Sequence, residues 1–96
     1  MPAYVILTRE KTRDVSELET YNKMAPGAFA GHPAKFLVWH GRHEVLEGAA
    51  TEDVMLAVFP SFEEAKAWHE SAAYQEAAKH RFLGGDFRCI LVDGAE

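Results

Sequence analysis

The chain has 96 residues, with 10 Lys and Arg against 15 Asp and Glu, for a formal net charge of −5 with its five histidines counted neutral. That length predicts one domain over residues 1–96, and the missing basic surplus argues against phosphate-rich partners, so neither nucleic acid nor an anionic membrane surface is expected. No apolar run approaches the roughly 18 residues a spanning helix needs, and no basic, then apolar leader opens the chain, so a cytoplasmic protein is predicted.

The first strand is predicted from about Ala3 to Thr8, ahead of the charged stretch Arg9 to Arg13. Ser16 with Glu19 three residues on fits a capping box, and Asp14 offers an alternative cap, so a helix should start here. It carries Val15, Leu18, Tyr21 and Ala25 at helical spacing and should fail before Pro26. A loop from Gly27 to Ala34 precedes a second strand, about Lys35 to Glu44. After Val45 to Gly48 and the polar turn Thr51-Glu52-Asp53, a third strand runs to Pro60. Ser61 and Glu64 form a second capping signature, opening a helix with Phe62, Ala65, Trp68 and His69 on one side. That helix should break near Ser71-Ala72, resume from Tyr74 to about Arg81 and end at Gly84-Gly85, before a last strand containing Cys89 to Val92. The order β-α-β-β-α-β predicts an α+β, ferredoxin-like sandwich: a four-stranded antiparallel sheet with its helices on one face.

The strands Tyr4 to Leu7, Phe36 to Trp39, Val54 to Phe59 and Cys89 to Val92 are apolar at successive positions, hence on both faces. Four strands at about 4.8 Å spacing make a sheet roughly 19 Å wide. Two helices, each about 10 Å across, cover that width once. The other face needs a cover, and a second copy of the chain is the expected one, so a homodimer is predicted.

Evidence for chemistry is sparser. Cys89, the single cysteine, excludes an internal disulfide and any multi-cysteine metal site, and its apolar strand suggests a small buried thiol. His40 and His43, three apart in or beside a strand, should point to opposite faces, so no metal site is expected. No phosphate loop, nucleophile elbow or dinucleotide fingerprint is present, and no cofactor is expected. Glu44 and Glu47 read as solvated carboxylates, and Arg81 as a cation suited to a helix end.

On the first helix Val15, Leu18, Asn22 and Ala25 also fit one stripe, and on the second Phe62, Ala65, His69 and Ala72 do so. A polar residue in an apolar stripe needs a partner, a water or a ligand. Asn22 and His69 therefore point to a cavity between helices and sheet. If Tyr21 rather than Asn22 faces inward, Asn22 is solvated, and His69 reads equally well as a satisfied structural histidine. The predicted pocket residues are Tyr21, Asn22, Trp39, His40 and Trp68, with His69 as the candidate general base on a small organic ligand.

Tyr21 with Ala25-Pro26, Lys35 to Val38, Glu44 to Gly48, Phe59-Pro60-Ser61, Ala65 with Trp68, Ser71, Tyr74-Gln75, Arg81 and Leu91-Val92 with Gly94 form a pattern. In this order they resemble the domain of unknown function 1330 family of the dimeric α+β barrel superfamily, over nearly the whole chain. The resemblance implies two ferredoxin-like sheets, one per subunit, packed into a shared barrel. It brings no established reaction. Superfamily members include cofactor-independent oxygenases, lactone isomerases and haem-handling proteins, many with pockets between sheet and helices. A cofactor-independent enzyme on an aromatic or polyketide-like substrate is thus one implied alternative to simple ligand binding, and a purely structural or partner-binding dimer is another. The chain departs from the family in four places. Trp39-His40-Gly41 stands for the usual Arg-Gly-Gly, Pro33-Ala34 for Gly-Gly, His69 for a Tyr, and Val58 for an acidic residue. These exchanges imply a less polar or less anionic ligand and chemistry that leans on histidine.

Overall fold

A computed structural model of the chain describes residues 1–95. Strand β1 (Ala3–Thr12) leads into α1 (Val15–Met24), which passes into a 3-10 turn over Ala25–Phe29. Strands β2 (Lys35–Trp39) and β3 (Asp53–Phe59) follow, then α2 (Phe62–Glu70), α3 (Ala72–Gly84) and β4 (Gly85–Asp93). All pairings are antiparallel and the spatial order is β2-β3-β1-β4, so the ferredoxin-like sheet expected from the sequence is present. The principal extents of 34 × 33 × 17 Å are those of two layers, one sheet and one layer of helices.

Local chemistry explains the helix boundaries. Asp14, not Ser16, caps α1: its carboxylate accepts hydrogen bonds from the Ser16 amide at 3.0 Å and the Ser16 hydroxyl at 2.6 Å. Ser61 caps α2, accepting from the Glu64 amide at 3.1 Å, as its spacing predicted. The expected break falls at Ser71, which ends α2 and, with its hydroxyl 3.2 Å from the Tyr74 amide, starts α3. One serine thus terminates one helix and opens the next, so α3 begins earlier than expected. No helix among the described residues is long and apolar enough to cross a membrane.

The core lies between one sheet face and the helices. Ala3, Val5 and Leu7 of β1 and Met55, Ala57 and Phe59 of β3 are buried on that face. Trp68, Tyr74 and Phe59 are the largest fully buried side chains, and Ala65, Ala77 and Ala78 let the helices approach them. The opposite face is apolar as well. Tyr4 and Ile6 are half-buried there, paired with the half-buried Val58 and Leu56 on one side and with the exposed Val92 and Ile90 on the other.

Two expectations are corrected. The second strand stops at Trp39 rather than near Glu44, because His40 takes φ 55° and turns the backbone off the sheet. His40 and His43 therefore lie beyond the strand. Cys89 is exposed rather than buried, since β4 is an edge strand.

Candidate functional site

Two backbone irregularities shape a cavity between the sheet and α1. Pro26 has no amide hydrogen to continue α1, so the chain tightens into the 3-10 turn. Phe29, at the end of that turn, stacks on Trp68 (centroids 4.9 Å apart, planes at 15°) and meets Phe36 edge-on at 5.1 Å. The second irregularity is a bulge in β2. Phe36 pairs with Ala57 and Trp39 with Met55, while Val38 between them pairs with Leu56, leaving Leu37 as the extra residue. Ala57 and Met55 belong to the buried face, so Phe36 and Trp39 both face the helices.

The resulting cavity has a volume of about 80 Å³. Its sheet side is Leu7, Met55, Phe87, Phe36 and Trp39, and its helical side is Leu18, Tyr21, Ala25, Pro26 and Phe29. Four polar side chains complete it: Arg9, Asn22, His40 and Asp53. Trp39, 56% exposed, stands at its open side.

Arg9, His40 and Asp53 have defined partners. Arg9 and Asp53 face each other across β1 and β3. Arg9 Nε lies 3.3 Å from a Glu52 carboxylate oxygen, an ion-pair separation without hydrogen-bond alignment. His40 Nδ1 bonds the Asp53 carboxylate, and its ring packs edge-on against Trp39 at 4.6 Å. His43 is elsewhere, donating from Nε2 to the Thr51 carbonyl at 2.8 Å. Tyr21 reaches past the cavity wall so that its hydroxyl lies 2.8 Å from that of Tyr74 in the core. Burial, then the neighbouring Tyr74, pushes the Tyr21 phenol far above its ordinary value. It is therefore a neutral hydrogen-bonding group rather than a phenolate.

Of the residues predicted for the pocket, the structure brings together Tyr21, Asn22, Trp39 and His40. Tyr21 is the inward member of α1, and Asn22 and Val15 are exposed, so the stripe through Leu18, Tyr21 and Ala25 holds; Asn22 reaches the cavity from its rim. Trp68 is 1% exposed and sits in the core behind Phe29, outside the lining. His69 is half-buried, its ring 5.5 Å from Tyr74, and does not line the cavity either. Burial, followed by the Arg81 charge, lowers the His69 pKa, so its ring is neutral near pH 7. Glu44 and Glu47 are exposed. Arg81, read as a helix-end cation, is 3% exposed, its guanidinium 4.8 Å from the Phe82 ring and 5.1 Å from the Phe87 ring.

Sequence reasoning missed Arg9 and Asp53, which had been read as a charged stretch and a polar turn. A two-residue signal existed: a carboxylate opening one apolar strand and a cation near the end of another, once their antiparallel register is drawn. Among the described residues no three His, Cys, Asp or Glu side chains gather as a metal cage.

The family model described as Domain of unknown function (DUF1330) matches residues 2–95. The chain belongs to the DUF1330 family. No curated protein matches this DUF1330 chain. Solved structures do. A protein of unknown function from Rhodopseudomonas palustris is 21% identical, with a TM-score of 0.74 over 99% of this chain and 83% of that one. A dimeric protein of unknown function and ferredoxin-like fold from Bacteroides fragilis is 10% identical, at TM-score 0.65 over 97% and 96% of the two chains. SnoaB, a cofactor-independent oxygenase from Streptomyces nogalater, is 9% identical, at TM-score 0.63 over 99% and 94%. At these identities the likeness is one of fold.

Proposed function

We propose that this DUF1330 chain works as a homodimer, each subunit holding a small, mostly apolar organic molecule between its sheet and α1. The observation that carries the reading is the cavity itself, walled by aromatic and aliphatic side chains with polar groups confined to Arg9, Asn22, His40 and Asp53. Convergent polar groups on an apolar concavity are the usual form of a small-molecule site. Its size narrows the ligand. A dry apolar cavity of about 150 Å³ takes up benzene, and this one measures about 80 Å³. A single ring, partly projecting past Trp39, fits better than a fused polyketide. Phe36 and Trp39, at 4.8 Å from each other, would offer it stacking faces.

The dimer rests on the uncovered face of the sheet. Ile6 is at its centre, paired with Leu56 on one side and Ile90 on the other. Contiguous apolar surface across four strands is costly in water, and the dimeric Bacteroides fragilis protein of the same fold supports a second copy as its cover. A cofactor-independent enzyme acting on an aromatic ring is a second reading. One observation favours it: the His40–Asp53 pair lines the cavity.

The test is a thermal-shift and tryptophan-fluorescence screen of benzoic acids, phenyl ketones, lactones and haem. A bound ligand raises the melting temperature by mass action, and W39A should abolish both responses. Complete absence of a shift across the screen would leave a structural or partner-binding dimer as the better account. For assembly, sedimentation of wild type and I6K should give dimer and monomer respectively. A wild-type chain that stays single-copy at micromolar concentration overturns the dimer.

A further inference from the structure

The geometry points to His40 as the general base of this cavity, with Asp53 as the residue that positions it, acting on a weakly acidic C–H or O–H of a neutral one-ring ligand. This rests on the ligand reading above and deepens it. Three observations converge. His40 and Asp53 both line the cavity. The Asp53 carboxylate holds His40 at Nδ1, and among the described residues Nε2 has no hydrogen-bond partner. A carboxylate on Nδ1–H fixes the tautomer in which Nε2 carries the lone pair, the arrangement that makes a histidine a directed base. Finally, His40 keeps φ 55°, a backbone conformation that costs energy for a residue with a Cβ. The ring of Trp39, 4.6 Å away, and the bond to Asp53 hold it there.

The step balances without a co-reactant. The Nε2 lone pair takes the proton as the ligand's C–H or O–H bond breaks, and the bonding electrons stay on the ligand as an enolate or phenolate. The imidazolium formed lies against the Asp53 carboxylate. Among the residues lining the cavity the charged ones beside it are Asp53, at the start of β3, and Arg9, opposite it on β1, which pairs with Glu52. Asn22 is the polar contribution of α1 to the cavity. Arg9 is the cation among the lining residues, and its charge would favour proton removal over its reversal. His69, outside the lining, has no access to the same atoms.

Phenylacetone serves as the probe: one ring, neutral, with benzylic C–H bonds whose exchange for deuterium in D₂O is read by proton NMR. Binding is followed separately through quenching of Trp39 fluorescence. Wild type should bind the ketone and exchange it at least tenfold faster than H40G. Glycine accepts φ 55° without strain, so H40G should fold. Imidazole added to H40G should restore exchange, as it refills the missing base. D53N should slow exchange without weakening quenching, and nitrogen-15 NMR should show His40 losing its single tautomer. Unaltered quenching with equal rates in wild type and H40G overturns the base assignment alone, as does failure of imidazole to rescue. No quenching in wild type instead overturns the ligand reading on which this one stands.

Discussion

Phe36 and Trp39 stand three positions apart on β2 yet share one face of the sheet, their ring centroids 4.8 Å apart and their planes at 66°. A regular strand would send them to opposite faces, because side chains alternate. The extra residue Leu37, which has no partner on β3, restores them to one side. Deleting Leu37 leaves Phe36 and Trp39 two positions apart in a regular ladder, so both still face the cavity. The expected outcome is that ligand-induced fluorescence quenching survives the deletion while the far-ultraviolet dichroism of the fold persists. Loss of quenching in the folded deletion variant would show that the site needs the local bend of the bulge and not only the shared face.

Tyr21 and Tyr74 share one hydrogen bond at 2.8 Å in a region where Tyr74 is fully buried. Burial raises both phenol pKa values, so each hydroxyl stays neutral, and Arg81 also acts on the Tyr74 hydroxyl. Y74F strands the Tyr21 hydroxyl without a partner and should cost about 1–3 kcal/mol. Y21F should cost less, because Arg81 remains beside the Tyr74 hydroxyl. The double variant Y21F/Y74F leaves no orphan and should be less destabilised than the two single losses added together. Urea unfolding at one fixed protein concentration measures the coupling; strictly additive losses would show that the two hydroxyls are satisfied independently.

Much of this architecture is readable in the chain because it depends on neighbours in sequence. The Ser61–Glu64 spacing located a helix start, Ser71 a break, Pro26 a stop, and the apolar runs the four strands. The cavity is less legible because it depends on register. Leu37 carries no sign of being a bulge, and without the bulge Phe36 would face away from Trp39. Asp53 reads as part of a polar turn until its pairing with Arg9 across the sheet places both at one end of the cavity. His69 misleads for the opposite reason. Its helical spacing was right for α2, but Trp68 fills the interior position and leaves His69 at the boundary.

His69 has a measurable consequence in spite of lying off the cavity. Burial and then the Arg81 cation lower its folded pKa below the ordinary value. Between the two pKa values the unfolded chain binds a proton that the folded chain refuses. Stability is therefore full above the unfolded pKa of about 6.5 and declines as pH falls through the depressed folded value. The ring is partly exposed, so the effect is modest. H69Q should flatten this part of the stability–pH curve below about pH 6.5, seen as a smaller loss of urea midpoint on acidification. An unchanged slope in H69Q would assign the acid sensitivity to another group.

Gly84 closes α3 where there is no room for a side chain. A Cβ there would lie 2.5 Å from Leu18 Cδ2 and 3.1 Å from the Leu18 amide nitrogen. The Gly84 carbonyl also accepts hydrogen bonds from the Arg13 and Asp14 amides at 2.7 and 3.0 Å, tying the end of α3 to the start of α1. Alanine is the better helix former by about 1 kcal/mol, but overpacking against a fixed backbone costs about 1–3 kcal/mol. Retreat of α1 would stretch both hydrogen bonds, so the clash should win and G84A should be less stable than wild type. L18A relieves the side-chain part of the contact, and G84A should therefore cost less in an L18A background than in wild type. Equal losses in the two backgrounds would trace the effect to the backbone of α1 alone, and a gain of stability in G84A would mean that the two helices have slack to separate.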